Sequence, residues 1–141
     1  MSKPLAVWTV PTLRQHAAPI PMYTEAKGFL FFSAIRGVDH ETGDVPVDGR
    51  EQARMLFRNL RILLESAKVD WSDIVKAGLY MSNLEEDREF FNEEWTAVYG
   101  DGYSPARFGV QVVDIGIAGD ATRFVLDVIA VRPEPPAPSI R

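Results

Sequence analysis

The chain has 141 residues, of which 46% are hydrophobic and 25% charged, with a formal net charge of −5 and no cysteine. This length predicts one domain, residues 1–132, followed by a proline-rich tail, residues 133–141. The missing cysteines exclude disulfides, thiolate catalysis and zinc–thiolate sites, and the scattered basic residues argue against a nucleic-acid backbone as partner.

The first third of the chain predicts two strands separated by a long loop. Residues 5–10 are rich in Val, Trp and Thr and predict a strand. Residues 11–27 contain three prolines and are predicted to be mostly loop. The apolar run 29–35 has the length of a strand buried on both faces, and residues 39–49 carry turn chemistry.

The clearest helix comes next. Asp48 and Glu51 form a start that resembles a capping box. A single apolar stripe then follows the spacing i, i+3, i+4, i+7 through Ala53, Leu56, Phe57, Leu60, Leu63, Leu64 and Ala67.

The second half predicts three more strands and a shorter helix. The strands are residues 74–81, 107–113 and 123–131. Ser82 with Glu85 offers a second capping signal. The helix that follows has an amphipathic set consisting of Phe91, Trp95, Val98 and Tyr99.

The predicted order is therefore β-β-α-β-α-β-β, an α+β domain. Two helices cover only one face of such a sheet, and the other face still carries apolar residues. This pattern indicates that the chain oligomerises. The N-terminus lacks a signal pattern and no apolar run is long enough to span a bilayer, so a cytoplasmic protein without membrane contact is expected.

Ten short segments, in order over residues 19–132, resemble the RidA/YjgF family of small imine and enamine deaminases. They are Tyr23-Thr24-Glu25-Ala26, Phe31-Phe32-Ser33, Thr42-Gly43, Gln52-Ala53, Asn59-Leu60, Leu64-Glu65, Asp73-Ile74-Val75-Lys76, Phe90-Phe91-Asn92, Pro105-Ala106-Arg107 and Asp127-Val128-Ile129-Ala130-Val131. The resemblance implies a mixed sheet of the chorismate mutase-like type, in a homotrimer with its sites between subunits. It also implies hydrolysis of a small carboxylate-bearing imine, either 2-iminobutanoate or 2-iminopropanoate, or of a 2-aminomuconate-type enamine, without metal or cofactor.

Arg107 is the first candidate site residue, because a guanidinium binds carboxylates through a two-pronged fork. A lone arginine is more often part of a surface salt bridge, but Arg107 matches the arginine that holds the substrate carboxylate in the family. Tyr23 matches the family's site tyrosine, with a packing role as the alternative. Ser33 and the backbone N–H of Ala34 match a family Ser-Gly pair.

The other candidates depart further from the family pattern. Arg36 is either a second anion contact, as a dicarboxylate would need, or a surface arginine. Asn92 matches the family's helix asparagine, and the Gly109 N–H is a further donor.

The acid expected to activate water falls on Val125. Asp127, one step along the strand, and Glu25 are the remaining candidates for general acid or base work. The substitution at Val125 keeps a second hypothesis open, that the chain is a non-catalytic trimer that binds small carboxylates or regulates a partner. The three tryptophans are typical core residues.

Overall fold

The computed structural model of the protein describes residues 3–115 and 121–134. Its helices are α1 (Gly49–Ala67) and α2 (Leu84–Tyr99), with a short 3₁₀ turn at Trp71–Asp73. Its strands are β1 (Leu5–Val7), β2 (Tyr23–Ala26), β3 (Phe29–Phe32), β4 (Ile74–Met81), β5 (Ala106–Gln111) and β6 (Phe124–Val131).

The six strands form one mixed sheet in the order β1-β2-β3-β6-β4-β5. Only the β4–β5 pair is parallel among these neighbours; the others are antiparallel. Helix α2 supplies the crossover that a parallel pair requires. The predicted α+β class and the mixed sheet are confirmed.

The predicted element order was wrong in one place, because residues 23–26 form strand β2 rather than loop. The three prolines all precede this strand, so they end before its ladder with β3 begins. Lys27 and Gly28 then have φ values of 52° and 80°, which is the left-handed pair that a two-residue hairpin turn needs. The observed order is β-β-β-α-β-α-β-β.

Helix α1 begins as the sequence predicts, since the Asp48 carboxylate accepts a hydrogen bond from Glu51 N at 3.0 Å. Helix α2 begins one residue later than predicted. Asn83, not Ser82, is its N-cap and accepts from Glu86 N at 3.1 Å. The reason is that Ser82 N still donates to Arg123 O at 2.9 Å and so remains in the sheet.

Both helices pack on the same face of the sheet. Phe57 of α1 contacts Phe91 of α2 at 5.3 Å between ring centroids, and Phe91 contacts Phe124 of β6 at 5.5 Å. Alternate residues of β6 are buried on that side. The other side of the sheet, which we call the open face, exposes apolar side chains that include Phe29, Phe31 and Phe108.

An exposed apolar face of this kind is typical of a surface that an oligomer covers. It supports the homotrimer, which stays a prediction. None of the described helices is long and apolar enough to cross a membrane. Most of the predicted tail, residues 135–141, lies outside the described residues.

Candidate functional site

Arg107 lies on β5 and its side chain is held by helix α2. Its Cζ atom is 4.7 Å from the centre of the Trp95 ring, within the range of a cation–π contact. Its Nη2 donates a hydrogen bond to the Asn92 side-chain oxygen at 2.5 Å. We call Arg107, Asn92 and Trp95 the arginine clamp.

The clamp exists because of local helix geometry. Asn92 and Trp95 are three residues apart, so they lie on the same face of α2. The indole N–H of Trp95 also donates to Ser104 Oγ at 3.0 Å, which ties the loop before β5 to the helix. Sequence reasoning missed the roles of Trp95 and Ser104. The role of Trp95 could have been predicted from its spacing of three residues from Asn92, which puts both on one face of a helix.

The clamp has one unsatisfied end. Arg107 Nη1 is buried and has no hydrogen-bond partner among the described residues. Burial lowers the pKa of Arg107, because taking a cation out of water disfavours its charged form. The Asn92 oxygen and the Trp95 ring carry no full negative charge, so the half-buried guanidinium keeps a positive charge that a carboxylate at its accessible part would neutralise.

Tyr23 and Glu25 lie on β2, near the edge of the sheet opposite to β5. Tyr23 is buried against Phe32 at 5.2 Å between ring centroids. Burial raises the Tyr23 pKa, Arg132 opposes this and Glu25 adds to it, so the phenol keeps its proton at neutral pH.

Glu25 is engaged in a two-pronged ion pair. Both of its oxygens accept from Arg132, at 2.8 and 3.0 Å. The hydrogen bond from Arg132 lowers the Glu25 pKa, against a smaller opposing effect of burial. Glu25 is therefore ionised at neutral pH, but its lone pairs already have a partner.

Ser33, Ala34 and Arg36 follow β3 in the chain. Ser33 Oγ donates to the Pro21 carbonyl at 2.7 Å, while Ala34 is exposed. Arg36 Nη1 donates to Thr122 Oγ1 at 3.0 Å. The three residues line a cavity of about 250 Å³ within the protomer.

Asp127 is exposed on the open face and does not point toward the clamp. It is paired with Gly78 of β4, whereas Arg107 is paired with Ala77, the preceding residue. Successive residues of a strand point to opposite faces. The same alternation sends Val125 to the open face. Gly109 is exposed near the middle of β5. The described residues contain no group of three His, Asp or Glu side chains that would hold a metal ion.

Apart from Asp127 on the open face, the candidate residues therefore form two groups within one protomer. Strands β2 and β5 are separated by β3, β6 and β4, which is four strand intervals or about 19 Å. One group lies at the β5 edge of the sheet and consists of Arg107, Asn92 and Gly109. The other lies toward the β2 edge and consists of Tyr23, Glu25, Ser33, Ala34 and Arg36. A small ligand touches both groups only if two copies of the chain contribute them.

Comparisons with known proteins agree on one family. The sequence profile described as Endoribonuclease L-PSP matches residues 15–130. A RutC family protein of Aquifex aeolicus is 30% identical over 121 residues, covering 82% of this chain and 94% of the relative. The 2-iminobutanoate/2-iminopropanoate deaminase of Escherichia coli K12 is 27% identical over 134 residues, covering 94% and 99%.

A solved structure shares the fold. The crystal structure of Escherichia coli TdcF with bound serine superposes with a TM-score of 0.80 at 22% identity, covering 90% of this chain and 98% of that one.

Proposed function

This chain belongs to the Endoribonuclease L-PSP family, which includes the RutC and RidA proteins, and on that premise we propose that it is a homotrimeric deaminase of small carboxylate-bearing imines or enamines. The observation that carries the proposal is the arginine clamp. A half-buried guanidinium that is oriented by Asn92 and Trp95, and that forms no ion pair among the described residues, is suited to receive a carboxylate.

The clamp fixes the substrate by its carboxylate and leaves the neighbouring C=N carbon to be attacked. Water adds its oxygen to that carbon, and its protons go to the nitrogen. The C–N bond then breaks, releasing ammonia and leaving a 2-oxo acid. A protonated imine is already electrophilic, so holding it beside a positioned water accelerates the reaction.

The second half of the site comes from a neighbouring copy in this proposal. The trimer would bury the apolar open face and bring the β2–β3 residues of one protomer to the clamp of the next. Tyr23 would supply a neutral phenol as donor and Ala34 its backbone N–H.

The acid that guides water in this proposal is Asp127 of the neighbouring copy, because Asp127 of the clamp's own protomer lies on the opposite face of the sheet. It is exposed on the open face, where a neighbour would pack, while Glu25 is held by Arg132. The deaminase name of the Escherichia coli relative supports the reaction class, and the serine bound to TdcF supports a small amino acid-like ligand. The 2-iminobutanoate and 2-aminomuconate classes both remain substrates of the proposal, the second using Arg36 for its other carboxylate.

A non-catalytic carboxylate-binding trimer is the second candidate. Two observations favour it: Val125 stands where the family's first acid is expected, and Glu25 is occupied by an ion pair. The clamp serves binding as well as catalysis. Ribonuclease chemistry, which the family's name suggests, is disfavoured by the net charge of −5.

The test is ammonia release from freshly generated 2-iminobutanoate and from 2-aminomuconate. Wild type is compared with Arg107→Ala and with Arg61→Ala, which removes an exposed arginine from α1. Loss of one partner of a desolvated charge pair costs about 2–5 kcal/mol, so we expect kcat/KM to fall about 30-fold or more in Arg107→Ala alone.

Turnover of one substrate that disappears in Arg107→Ala establishes the deaminase and selects its substrate class. No acceleration of either substrate, together with carboxylate binding that needs Arg107, establishes the binding trimer instead. Carboxylate binding that is unchanged in Arg107→Ala contradicts both.

A further inference from the structure

Strand β5 has a glycine, Gly109, in its interior, where a glycine normally weakens a strand. Its φ is not positive, so the backbone conformation does not require a glycine there. The ladder between β4 and β5 keeps one continuous register through Gly109, so there is no bulge that requires it either.

Packing within the protomer does not require this glycine. A Cβ added to Gly109 would lie 4.0 Å from its nearest neighbours, which are the Cβ and the backbone oxygen of Leu79. Gly78 of the adjacent strand is different, because a Cβ there would lie 2.5 Å from Cζ of the Phe108 ring. A strand glycine that faces open space often marks a place where a ligand or another backbone approaches closely.

The open space lies on the same face of the sheet as the arginine clamp. Gly109 and Arg107 are two residues apart in β5, so they share a face. Leu79, the partner of Gly109 on β4, belongs to the buried core on the helix side. Gln111 is two residues further along the same face. We call the gap over Gly109, between the side chains of Arg107 and Gln111, the slot.

Helix α2 runs along the slot. At one end the Arg107 side chain contacts Asn92 of the helix. At the other end Gln111 Oε1 accepts a hydrogen bond from Leu84 N at 3.0 Å. Residues 84 and 92 are about 12 Å apart along a helix, and residues 107 and 111 are about 13 Å apart along a strand. These spacings match, so Gly109 faces the helix midway between residues 84 and 92.

Arg88 occupies the midway position. It precedes Asn92 by four residues, so both side chains leave α2 on the same flank, the one that faces β5. Helix α1 packs on the opposite flank, where Glu94 accepts hydrogen bonds from Arg50 and Arg54. Arg88 is exposed, and it forms no ion pair within residues 3–115 and 121–134.

We propose that Gly109 and Arg88 determine the substrate specificity of the site. The carboxylate next to the reacting carbon binds to the clamp, the rest of the substrate lies in the slot over Gly109, and Arg88 binds a second carboxylate at the rim. The substrate class is therefore an imine or enamine of a dicarboxylic acid. The inference rests on the proposed function, because it uses the same clamp, and it selects between the two substrate classes of that proposal.

The charges around the slot fit a dianion. Neither Arg107 nor Arg88 has an acidic partner among the described residues, and two cations close together repel one another. A ligand with a carboxylate at each end neutralises both. Arg36 lies in the group toward the β2 edge and reaches the clamp only from a neighbouring copy, whereas Arg88 is on the same helix as Asn92.

The experiment measures how tightly the intact protein binds three stable carboxylates, namely acetate, hexanoate and adipate. Acetate occupies the clamp alone, hexanoate adds an apolar chain, and adipate has a second carboxylate on a chain of the same length. Binding is followed by NMR of the indole N–H signals, of which the chain has three. The Trp95 signal reports on the clamp, because its ring contacts Arg107. The variant Trp95→Leu assigns this signal.

The variant Arg88→Met removes the charge and keeps a long side chain. We expect it to weaken adipate binding by about fivefold and to leave hexanoate unchanged, which is the effect of losing one exposed ion pair. This loss should shrink at high salt, because exposed charges are screened. Arg61→Met, at an exposed position of α1, is the matched control and should bind all three ligands like wild type.

The variant Gly109→Val fills the slot with a residue that strands favour, at a position where a Cβ meets no close neighbour. We expect hexanoate and adipate to bind about tenfold more weakly, since an overfilled space is costly, while acetate binding stays unchanged. The mass of the assembly is measured for this variant and for wild type. A smaller assembly would show that a neighbouring chain, and not a ligand, fills the space, and would overturn the inference.

Other results would also overturn it. One is an equal adipate affinity in Arg88→Met and Arg61→Met. Another is a loss of adipate affinity in Arg36→Met that is absent in Arg88→Met. These outcomes leave the clamp intact, whereas acetate binding that is unchanged in Arg107→Ala contradicts the proposed function itself. No turnover is measured, so an effect of Arg88→Met on adipate alone supports the inference even if the protein is a binding trimer.

Discussion

The sharpest prediction is that two inactive variants restore one another when they are mixed in the same oligomer. Arg107→Ala removes the guanidinium of the clamp. Ala34→Trp places a bulky ring among the residues of the second group, at a position that is exposed in the protomer, and so blocks the substrate. Ala34 precedes Ile35, which is three strand intervals from β5, or about 14 Å. The Arg107 guanidinium is held over Trp95, so one small substrate does not reach both positions within a protomer.

The size of the rescue follows from the symmetry of a closed ring. Each site takes Arg107 from one protomer and Ala34 from the next. A trimer that contains both variants holds them in a ratio of two to one, so one of its three sites, or about one third, is complete. No protomer in the mixture carries both intact residues, so a site within one protomer would recover nothing.

The assay is ammonia release after the two variants are co-expressed with different tags and purified through both. Each variant assembled only with itself is the control, and the mass of the purified assembly confirms that the oligomers are mixed. Mixed oligomers with no more activity than either parent would refute the division of the site between subunits.

Three further predictions concern single contacts. Trp95→Leu should weaken carboxylate binding by about 2- to 30-fold, because it removes the cation–π contact with Arg107. The control is Trp71→Leu, which removes a ring packed on the same Phe57 and should lower stability without changing the affinity. Equal losses of affinity in the two variants would contradict this prediction. Glu25→Gln should lower the free energy of unfolding by about 0.5–1 kcal/mol at pH 7. Because the folded-state pKa of Glu25 is lowered, this difference should vanish as the pH falls through that pKa, and urea titrations at several pH values that show a constant difference would refute it. Asp87→Asn should lower the free energy of unfolding by about 3 kcal/mol, because it breaks the two-pronged pair between a fully buried carboxylate and Arg123. Glu86→Gln, which changes an exposed partner of the same arginine, should lower it by less than about 1 kcal/mol in the same unfolding titrations.

Local pattern was enough to predict most of the secondary structure. Strand β4 has the bounds that the sequence predicts, and the apolar stripe of α1 is buried throughout. These elements follow from side-chain periodicity, which a short window of sequence contains. Strand β2 was missed, because its signal is a four-residue segment with a left-handed turn at Lys27 that lies just beyond three prolines.

The candidate site residues likewise include some that the sequence predicted and some whose position it did not predict. The resemblance to a family led to Arg107 and Asn92, and the structure brings these two together. The fate of the candidate acids did not follow from the sequence. Glu25 is bound to Arg132, a residue 107 positions away, and Asp127 lies on the opposite face from the clamp.

The sequence by itself thus determined the α+β class, the helix stripe, the family and the arginine at its centre, because each depends on residues that are near one another in the chain or on an ordered set of short segments. Only the tertiary structure decided which of these residues meet. Strand order separates β2 from β5 by about 19 Å, and the alternation of side chains across the sheet puts Asp127 and Arg107 on different faces. Pairing order and register are set by packing between distant segments, and for that reason a local pattern does not contain them.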